Sequence, residues 1–484
     1  MYTYRGSGHL CYIFNYAVLQ NPVWLLLLAS CNLVASSASS YSRDESVFAE
    51  SYDYIIVGGG TSGLVVANRL SEDPTNDSSL ALIPRLDLQY FPNNVKNWDY
   101  ISAPVEILSN ATFNVYIADV VGGSSLHMLG TFTPPSEELK THFDIRNNAS
   151  GYGNKPIQIG YPSFIFRDYR NQTLAAEDFG IEISDAPESG DAIGFYWVPQ
   201  TLDPKTGFRS HSRVAYYDPI TSRPNLHLIP GHLVEKILFD DNLTATGVEL
   251  TSVQTNQTQI VSAKKEVILA AGAINTPKLL QFSGICPTTV LEAVGVQVLL
   301  DEPAVGANFQ DHPVTYLGWN GQYTQGTFPD AAFIPLSFSQ LISPNQEIID
   351  QARAQNVSNY IPSIYLNSSA LLKGYLTQRD IILNHFSRTN GAVIEIPIGT
   401  TGPEILAALI SVGAIAPSFA HSSGMCALGK REWGGCVGKN FSVYGLRKVS
   451  VADASVMPLV PATHLQLTVF GVAEKAGDII KGRT

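Results

Sequence analysis

One stretch near the N-terminus decides the fold of this chain: residues 52–63, which read YDYIIVGGGTSG. The apolar run at 54–57 is typical of a β-strand that is buried on both faces. The glycines that follow fit the pattern G-x-G-x-x-G, and residues 64–70 after them have helical character. Glycine triplets also occur in ordinary loops, but the strand before this one and the helix after it favour a dinucleotide-binding turn.

Each residue of this turn has a predicted role in holding a dinucleotide. Gly58 permits the tight turn, Gly60 lets the backbone approach a pyrophosphate, and Gly63 allows the helix to pack closely on the strand. Thr61 and Ser62 begin the helix, whose N-terminus offers N–H groups and partial positive charge to phosphate. All five residues are therefore candidates for cofactor binding.

The acid that usually holds a ribose hydroxyl, about 20 residues further along, is missing or displaced. The apolar residues 80–83 form a fair second strand, but Pro84 follows it and Asp87 comes three residues late. The sequence therefore predicts the pyrophosphate site and leaves ribose binding open.

The composition excludes two classes of protein. Hydrophobic residues make up 45% of the 484 residues and charged residues 15%, an apolar fraction too high for wholesale disorder. Lys and Arg number 30 against 42 Asp and Glu, a net charge of −12 with no basic run, which argues against a nucleic-acid binder. No spacing of His and Cys suggests a metal site. The length predicts roughly two to four domains.

Residues 1–40 are typical of a targeting segment. An apolar stretch of about 12 residues begins at Val23 and gives way to a Ser/Ala tract, whereas roughly 18 residues are needed to span a bilayer. We therefore expect a signal peptide over residues 1–40, a secreted protein and no stable membrane span. An uncleaved anchor or an incorrectly assigned start are the alternatives, because only Arg5 supplies Lys/Arg charge before the apolar stretch.

Sequons support secretion, because Asn-x-Ser/Thr is the acceptor for N-glycosylation in secreted proteins. Nine occur, at Asn76, Asn110, Asn148, Asn171, Asn242, Asn256, Asn356, Asn367 and Asn440. The cysteines add less. Beyond residue 40 only Cys286, Cys426 and Cys436 remain, so one disulfide can form, and Cys426–Cys436 is the nearest pair.

Four stretches resemble the glucose–methanol–choline (GMC) oxidoreductases, a family of FAD-dependent alcohol oxidases and dehydrogenases. The first is residues 52–70, which contain the glycine turn, and the second is the GGSS of residues 122–125. The third is GAINTPKLLQFSGI at 272–285, followed by VGANFQDH at 305–312. The fourth runs from 421 to 481.

The resemblance implies an α/β fold with mixed α+β character. It consists of a Rossmann-like FAD-binding domain and a substrate-binding domain built on an antiparallel sheet, both discontinuous in sequence. The FAD-binding domain is expected to comprise residues 50–160, 205–320 and 415–484, and the substrate-binding domain residues 161–204 and 321–414.

FAD is the cofactor that the resemblance implies. Gly122, Gly123 and Ser124 are similar to the family's loop beside the flavin, and Val234 falls where a main-chain contact to the adenine is usual. Asp453 and Ala454 are similar to the strand end whose backbone contacts the flavin.

His421 and His464 resemble the two active-site positions of the family, with His421 as the general base and His464 where relatives have His or Asn. A neutral imidazole with an ordinary pKa near 6.5 can take the hydroxyl proton of an alcohol as hydride moves to flavin N5. A single His is more often a buried structural residue, but two in one matching stretch favour catalysis. The other histidines are interpreted as structural, and we expect His312 to pack in the Asp311–His312 turn.

The chain departs from the family where the flavin is usually covered. Relatives have a long segment after residues 129–130 that helps cover the flavin, whereas here Thr131 follows at once. His127 stands at the place of a common flavin-side Asn, and Cys286 at that of a Gly. A buried flavin needs an enclosure that excludes water, so either the rest of the fold compensates for these departures, or coding exons are missing from the assigned gene, or the protein is a degenerate member.

Three functional hypotheses follow. The first is a secreted FAD-dependent oxidase or dehydrogenase that converts a small-molecule alcohol to an aldehyde or ketone, with secondary metabolism as one setting and oxygen or another compound as electron acceptor. The second is a non-redox cyclase or dehydratase of a biosynthetic pathway on the same scaffold, and the third is an inactive binding protein. Substrate, acceptor and oligomeric state are not readable from these residues.

Overall fold

A computed structural model of the chain describes residues 49–72, 80–83, 97–101, 114–118, 130–148, 153–154, 156–161, 165, 170–185, 193–313, 328–337, 345–400 and 420–483. The strands are β1 Ser51–Val57, β2 Leu80–Ile83, β3 Asn97–Ile101, β4 Asn114–Ala118, β5 Thr131–Thr133, β6 Gln158–Gly160, β7 Tyr196–Trp197, β8 Leu226–Leu228, β9 His232–Phe239, β10 Ala245–Ser252, β11 Thr258–Leu269, β12 Ile285–Cys286, β13 Leu300–Asp301, β14 Phe328–Ser337, β15 Ala392–Thr400 and β16 Val449–Val451. The α-helices are α1 Thr61–Leu70, α2 Glu137–Phe143, α3 Arg170–Asp178, α4 Gly272–Phe282, α5 Thr288–Ala293, α6 Asn345–Ala354, α7 Ser363–Leu366, α8 Ser369–Phe386 and α9 Gln466–Lys481. Shorter turns of π-helix or 3-10 helix occur at Arg213–Tyr217, Asp218–Ile220, Val357–Asn359, Arg431–Trp433 and Ala454–Val456.

A seven-stranded mixed sheet contains the predicted nucleotide-binding strand. Its order is β8-β2-β1-β11-β10-β9, and β16 also pairs with β11. β1 is parallel to β2 and β11, β2 is parallel to β8, and β16 is parallel to the last three residues of β11. β9 and β10 form an antiparallel meander with the first half of β11. The 12-residue β11 therefore belongs to both the parallel and the antiparallel part.

The predicted strand, turn and helix lie at the middle of this sheet. Ile55 and Ile56 of β1 are fully buried, as expected for a continuous apolar strand covered on both faces. Leu64 of α1 is also fully buried. α9 packs beside α1, where Arg69 forms an ion pair with Glu474. The first and last α-helices of the described residues are thus joined in one layer.

A second sheet is antiparallel and has three strands, in the order β15-β14-β7. Its strands come from both segments that the resemblance assigns to the substrate-binding domain. Trp197 of β7 is 1% exposed, and its ring packs edge-on against Phe143 and Phe195. The predicted antiparallel sheet is present, while the domain boundaries themselves stay a prediction.

The predicted fold class, α/β with a Rossmann-like sheet, is confirmed. The pairing of Cys426 with Cys436 is also confirmed, because the two form a disulfide. Cys286 is a buried free thiol, and burial raises its pKa to about 11.

Several predicted features lie outside the described residues. They are the signal peptide at 1–40, the Pro84–Asp87 region, and the loop with Gly122, Gly123 and Ser124. Where the chain is described, no helix is both long enough and apolar enough to cross a bilayer. The same part of the chain contains no group of three or more side chains suited to hold a metal ion.

Candidate active site

Three strands of the seven-stranded sheet end side by side at the edge where the predicted cofactor residues lie. The amide of Ala270, just after β11, donates to the carbonyl of Val57 at the end of β1 (2.8 Å). The amide of Ala452, just after β16, donates to the carbonyl of Leu269 at the end of β11 (2.9 Å). Ligands of open α/β sheets bind outside the carboxyl ends of the strands, so this edge is the candidate cofactor site.

The three glycines of the turn differ in what surrounds them. Gly58 has a φ of +115°, and a Cβ there would lie 2.2 Å from the carbonyl oxygen of Ala270. A Cβ on Gly63 would lie 1.8 Å from the carbonyl oxygen of Gly58. Apart from Gly60 itself and its two chain neighbours, no described atom lies within 4 Å of the place where a Cβ of Gly60 would be. Packing within the protein thus requires Gly58 and Gly63, whereas Gly60 borders open space, as the approach of a pyrophosphate requires.

Asp453 supports this edge from inside the protein. Its carboxylate is 2% exposed and accepts four hydrogen bonds. Oδ2 accepts from the amide of Gly272 (2.9 Å) and the hydroxyl of Thr276 (2.5 Å), and Oδ1 accepts from the amide (2.9 Å) and hydroxyl (2.6 Å) of Ser455. Burial raises the pKa of Asp453, and these hydrogen bonds act in the opposite direction. Because the side chain is used internally, the backbone of Asp453 and Ala454 is what this position can offer to a cofactor.

The buried amide side chain of Gln466 lies in the first turn of α9, a helix that contacts the turn Ala454–Val456. Gln466 is 5% exposed, and neither its side-chain nitrogen nor its side-chain oxygen has a hydrogen-bond partner among the described residues. An unpaired buried polar group costs about 1–3 kcal/mol. The edge of a flavin ring has both donors and acceptors, so a bound flavin fits this amide. The sequence reading missed Gln466, although a polar residue two positions after His464 was a usable signal.

The positions of the remaining predicted cofactor residues neither support nor oppose a contact with the cofactor. Thr61 and Ser62 are buried in the first turn of α1. Val234 is buried in β9, opposite Leu250 of β10 and next to a shift in strand register. Its contact to an adenine stays a prediction.

The two predicted catalytic histidines lie together, and a third joins them. The rings of His421 and His464 have centroids 5.0 Å apart and are nearly perpendicular, at 83°. The centroid of His312 lies 5.1 Å from that of His421, and their Nδ1 atoms are 2.9 Å apart. The amide of His312 donates to Asp311 Oδ1 (2.8 Å), but residues 311 and 312 do not form the expected turn. A purely structural role does not fully describe His312, because its ring also contacts the predicted catalytic residue His421.

The carboxylate of Asp311 fixes the backbone of two of these histidines. Its Oδ1 accepts a hydrogen bond from the amide of His312 (2.8 Å) and another from the amide of His421 (2.9 Å). Beside it, Gln310 and Ser423 exchange two backbone hydrogen bonds of 3.1 and 2.9 Å. The two segments are therefore held in register, and the two rings have a defined relative position.

His464 is held from the antiparallel sheet. Its Nε2 lies 2.8 Å from Oε1 of Glu395, a residue of β15. The side chains of His464 and Glu395 are 13% and 28% exposed. An ionised carboxylate can only accept a hydrogen bond, so Nε2 of His464 carries the proton. The sequence reading also missed Glu395, although an acid inside the apolar run at 392–398 was a signal for it.

Burial keeps His421 neutral. It is the main cause that lowers the pKa of His421 to about 3, and the imidazoles of His464 and His312 act in the same direction. Burial also lowers the pKa of His312, although the carboxylates of Asp311 and Glu395 act against it. His421 is therefore a neutral imidazole over the usual pH range, which is the state that accepts a proton.

Comparisons with known proteins identify the family of the chain. Two family models, both described as GMC oxidoreductase, match residues 52–314 and 395–473. The chain is 25% identical over 604 aligned residues to the GMC oxidoreductase family protein Mala s 12 of Malassezia sympodialis, with 95% of this chain and 98% of that protein covered. It is 26% identical over 567 residues to pyranose dehydrogenase 3 of Leucoagaricus meleagris, with 89% and 92% covered. The solved structure of an FAD-dependent oxidoreductase from Chaetomium thermophilum has a TM-score of 0.80 at 27% identity, over 89% of this chain and 99% of that one.

The first of these alignments is longer than this chain, 604 positions against 484 residues. The relative therefore has segments that this chain lacks, in agreement with the shortening expected from the sequence. The glycine turn, the strand edge and all three histidines nevertheless lie within the residues that the family models match. On the strength of those two matches and of the shared fold, the chain belongs to the GMC oxidoreductase family, an oxidoreductase whose cofactor is FAD.

Proposed function

We propose that the chain oxidises the CH–OH group of a small-molecule alcohol to an aldehyde or ketone and passes the electrons to oxygen or another acceptor. One observation carries the proposal: a half-buried, neutral His421 lies in contact with two further imidazoles. The segment after His421 is hydrogen-bonded to the candidate cofactor edge, because the amide of Gly424 donates to the carbonyl of Ala454 (3.1 Å). α9 begins shortly after His464 and contains Gln466, whose side-chain amide has no hydrogen-bond partner in the described part of the chain.

In this proposal, separate residues handle the substrate and the cofactor. His421 accepts the hydroxyl proton of the substrate, and the ring of His464, held by Glu395, packs against His421 and fixes its position beside the substrate. Bound FAD supplies the acceptor for the hydride. Gly60, Gln466 and the backbone of Asp453 would contact that cofactor.

The relatives support a substrate with a CH–OH group but do not indicate which alcohol it is. The relative from Leucoagaricus meleagris is named as a dehydrogenase of pyranose, a substrate with several hydroxyl groups. A role of this chain in secondary metabolism stays a prediction.

The test is a visible spectrum of the purified protein, recorded anaerobically before and after aliphatic, aromatic and sugar alcohols are added. We expect oxidised-flavin absorbance that is bleached by the true substrate. His421→Asn should keep the flavin spectrum and slow the bleaching by about 10²–10⁴-fold, the usual contribution of a general base. His142→Asn, a change at a half-buried histidine of α2, is the matched control and should behave as wild type.

Two results would contradict the proposal. Protein that shows no flavin absorbance, even after refolding with FAD, would support the inactive-member hypothesis. Product formation without consumption of oxygen or another acceptor would support the non-redox hypothesis.

We also propose that the protein is secreted and N-glycosylated. Seven of the nine sequon asparagines fall within the described residues, and all seven are exposed: Asn148, Asn171, Asn242, Asn256, Asn356, Asn367 and Asn440. The Cys426–Cys436 disulfide suits an oxidising compartment. Expression in a secreting eukaryotic host should give protein in the medium whose mass falls after endoglycosidase treatment. Unmodified protein retained inside the cells would contradict this.

A further inference from the structure

We propose that His312 is a positioning residue that fixes His421 as the tautomer protonated on Nδ1, with the lone pair on Nε2. This inference rests on the proposed role of His421 as the base. It starts from the short contact between the two rings, whose Nδ1 atoms are 2.9 Å apart. Two neutral imidazoles in such a contact share one proton, so one Nδ1 donates and the other accepts.

The other partner of His312 decides which ring donates. The backbone of Pro461 acts to raise the pKa of His312, as a hydrogen-bond acceptor beside a ring N–H does. Proline has no N–H, so its only backbone hydrogen-bonding group is the carbonyl, which can only accept. The nitrogen of His312 that faces Pro461 therefore carries a proton. Because Nδ1 of His312 faces His421, the protonated nitrogen is Nε2, and Nδ1 of His312 is the acceptor.

The tautomer of His421 follows from that of His312. The acceptor on His312 requires a proton on Nδ1 of His421, and a neutral imidazole has only one. The lone pair of His421 is then on Nε2, where it can take a proton from a substrate hydroxyl. In the opposite tautomer of His421, Nε2 would carry the proton and could not act as a base.

The surrounding hydrogen bonds hold this chain of groups in place. Asp311 binds the amides of both histidines. Gln310, next to Asp311, accepts a hydrogen bond from the amide of Val460 (3.0 Å) and donates one to the carbonyl of Pro458 (2.9 Å). The segment that contains Pro461 is thereby tied to the loop that carries His312. The Pro461 carbonyl is thus held beside His312, where it determines which nitrogen of His312 carries the proton.

The test compares His312→Asn with His312→Gln. The amide of Asn stands near the position of Nδ1, so its oxygen can turn to His421 and preserve the tautomer. The amide of Gln reaches the position of Nε2, so it keeps an N–H donor toward Pro461 and leaves no acceptor beside Nδ1 of His421. A role in packing alone would affect both variants alike.

The primary readout is the tautomer itself, which needs no turnover. Holoenzyme labelled with ¹⁵N-histidine is studied by long-range ¹H–¹⁵N correlation NMR, and His421→Asn assigns the signals of His421. We expect His421 to be protonated on Nδ1 in the wild type and in His312→Asn, and to be a mixture in His312→Gln. His421 protonated on Nε2 in the wild type, or the same tautomer in all three proteins, would overturn the proposal.

Kinetics gives a second readout. If His312→Gln leaves between half and a tenth of the molecules with the competent tautomer, kcat/KM falls by about two- to ten-fold, since only that fraction reacts. The loss should not vary with pH, because the ratio of two neutral tautomers does not depend on pH. A loss that appears only at low pH would instead indicate a changed pKa of His421 and would overturn the proposal. Failure of the proposed function is distinct, because it would appear as wild-type holoenzyme that no alcohol reduces.

Discussion

Nε2 of His464 and Oε1 of Glu395 lie 2.8 Å apart, although the two residues are 69 positions apart in sequence. Glu395 belongs to the antiparallel sheet, and His464 belongs to the segment that leads into α9. This one hydrogen bond therefore joins the expected substrate side of the molecule to the histidine cluster. It also means that a change in the sheet can alter the chemistry of the site.

We expect Glu395→Gln to slow flavin reduction by about five- to ten-fold. The variant keeps an acceptor oxygen at the same distance but removes the charge, and a hydrogen bond to a charged group is worth roughly 1 kcal/mol more than a neutral one. Glu395→Leu, which removes the acceptor, should have a larger effect. The measurement is anaerobic stopped-flow reduction by the best alcohol, with Glu347→Gln on exposed α6 as control. Equal rates for Glu395→Gln and wild type would show that the charge is not used.

The depressed pKa of His421 predicts how stability depends on pH. The pKa is about 3 in the folded protein against an ordinary 6.5, so between these values the unfolded chain binds more protons than the folded one. The free energy of unfolding therefore falls as the pH falls from about 6.5 toward 3. His312 shifts in the same direction, while Asp311 and Glu395 oppose its shift.

His421→Asn removes one of these groups. The free energy of unfolding of the variant should therefore fall less steeply as the pH falls, and the difference in slope should correspond to at most about one bound proton. Urea unfolding of wild type and variant at pH 7 and pH 4 measures the difference. Parallel losses in the two proteins would argue that His421 is not held neutral.

Substitution by alanine should affect stability at Gly63 and cofactor binding at Gly60. Gly63→Ala should lower the Tm strongly, because its Cβ would overlap the carbonyl of Gly58. Gly60 has φ −82° and ψ −162°, a conformation that alanine accepts, and open space beside it. Gly60→Ala should therefore fold normally and bind FAD more weakly. Thermal unfolding without FAD and titration with FAD separate the two effects, and a Gly60→Ala variant with unchanged FAD affinity would remove Gly60 from the cofactor site.

Gln466→Leu should have opposite effects on the protein with and without its cofactor. Leucine removes a buried donor and acceptor that have no partner among the described residues, so the FAD-free protein should have a higher Tm. The loss of hydrogen bonds to the flavin should weaken FAD binding by about 5- to 150-fold, the equivalent of 1–3 kcal/mol. A lower Tm of the FAD-free variant would mean that the amide has an internal role.

Local sequence patterns predicted the parts of the site that depend on neighbouring residues. The roles of Gly58 and Gly63 follow from a strand, a turn and a helix within about 20 residues, and the structure places both where their Cβ atoms would collide. The Cys426–Cys436 pairing is likewise local, with a separation of 10 residues.

The sequence predicted the two histidines His421 and His464 but not their contacts with His312 and Glu395, because those contacts join residues that are far apart in sequence. His312 and His421 are 109 residues apart, and the contact depends on how Asp311 binds both amides. Glu395 reaches His464 from another sheet. Neither contact leaves a periodic pattern in the sequence, since each is created by packing of separate segments.

The double pairing of β11 has a consequence for the order in which the chain folds. Its first half pairs with β10 across a short turn, Thr251 opposite Thr258, whereas its second half pairs with β1, Val57 opposite Leu269. Closing a short loop costs less entropy than closing a long one, so the β9–β10–β11 meander should gain hydrogen-exchange protection first during refolding. The cofactor edge, which needs β1 and β16, should form late, so an early intermediate would contain a folded meander and no place for FAD.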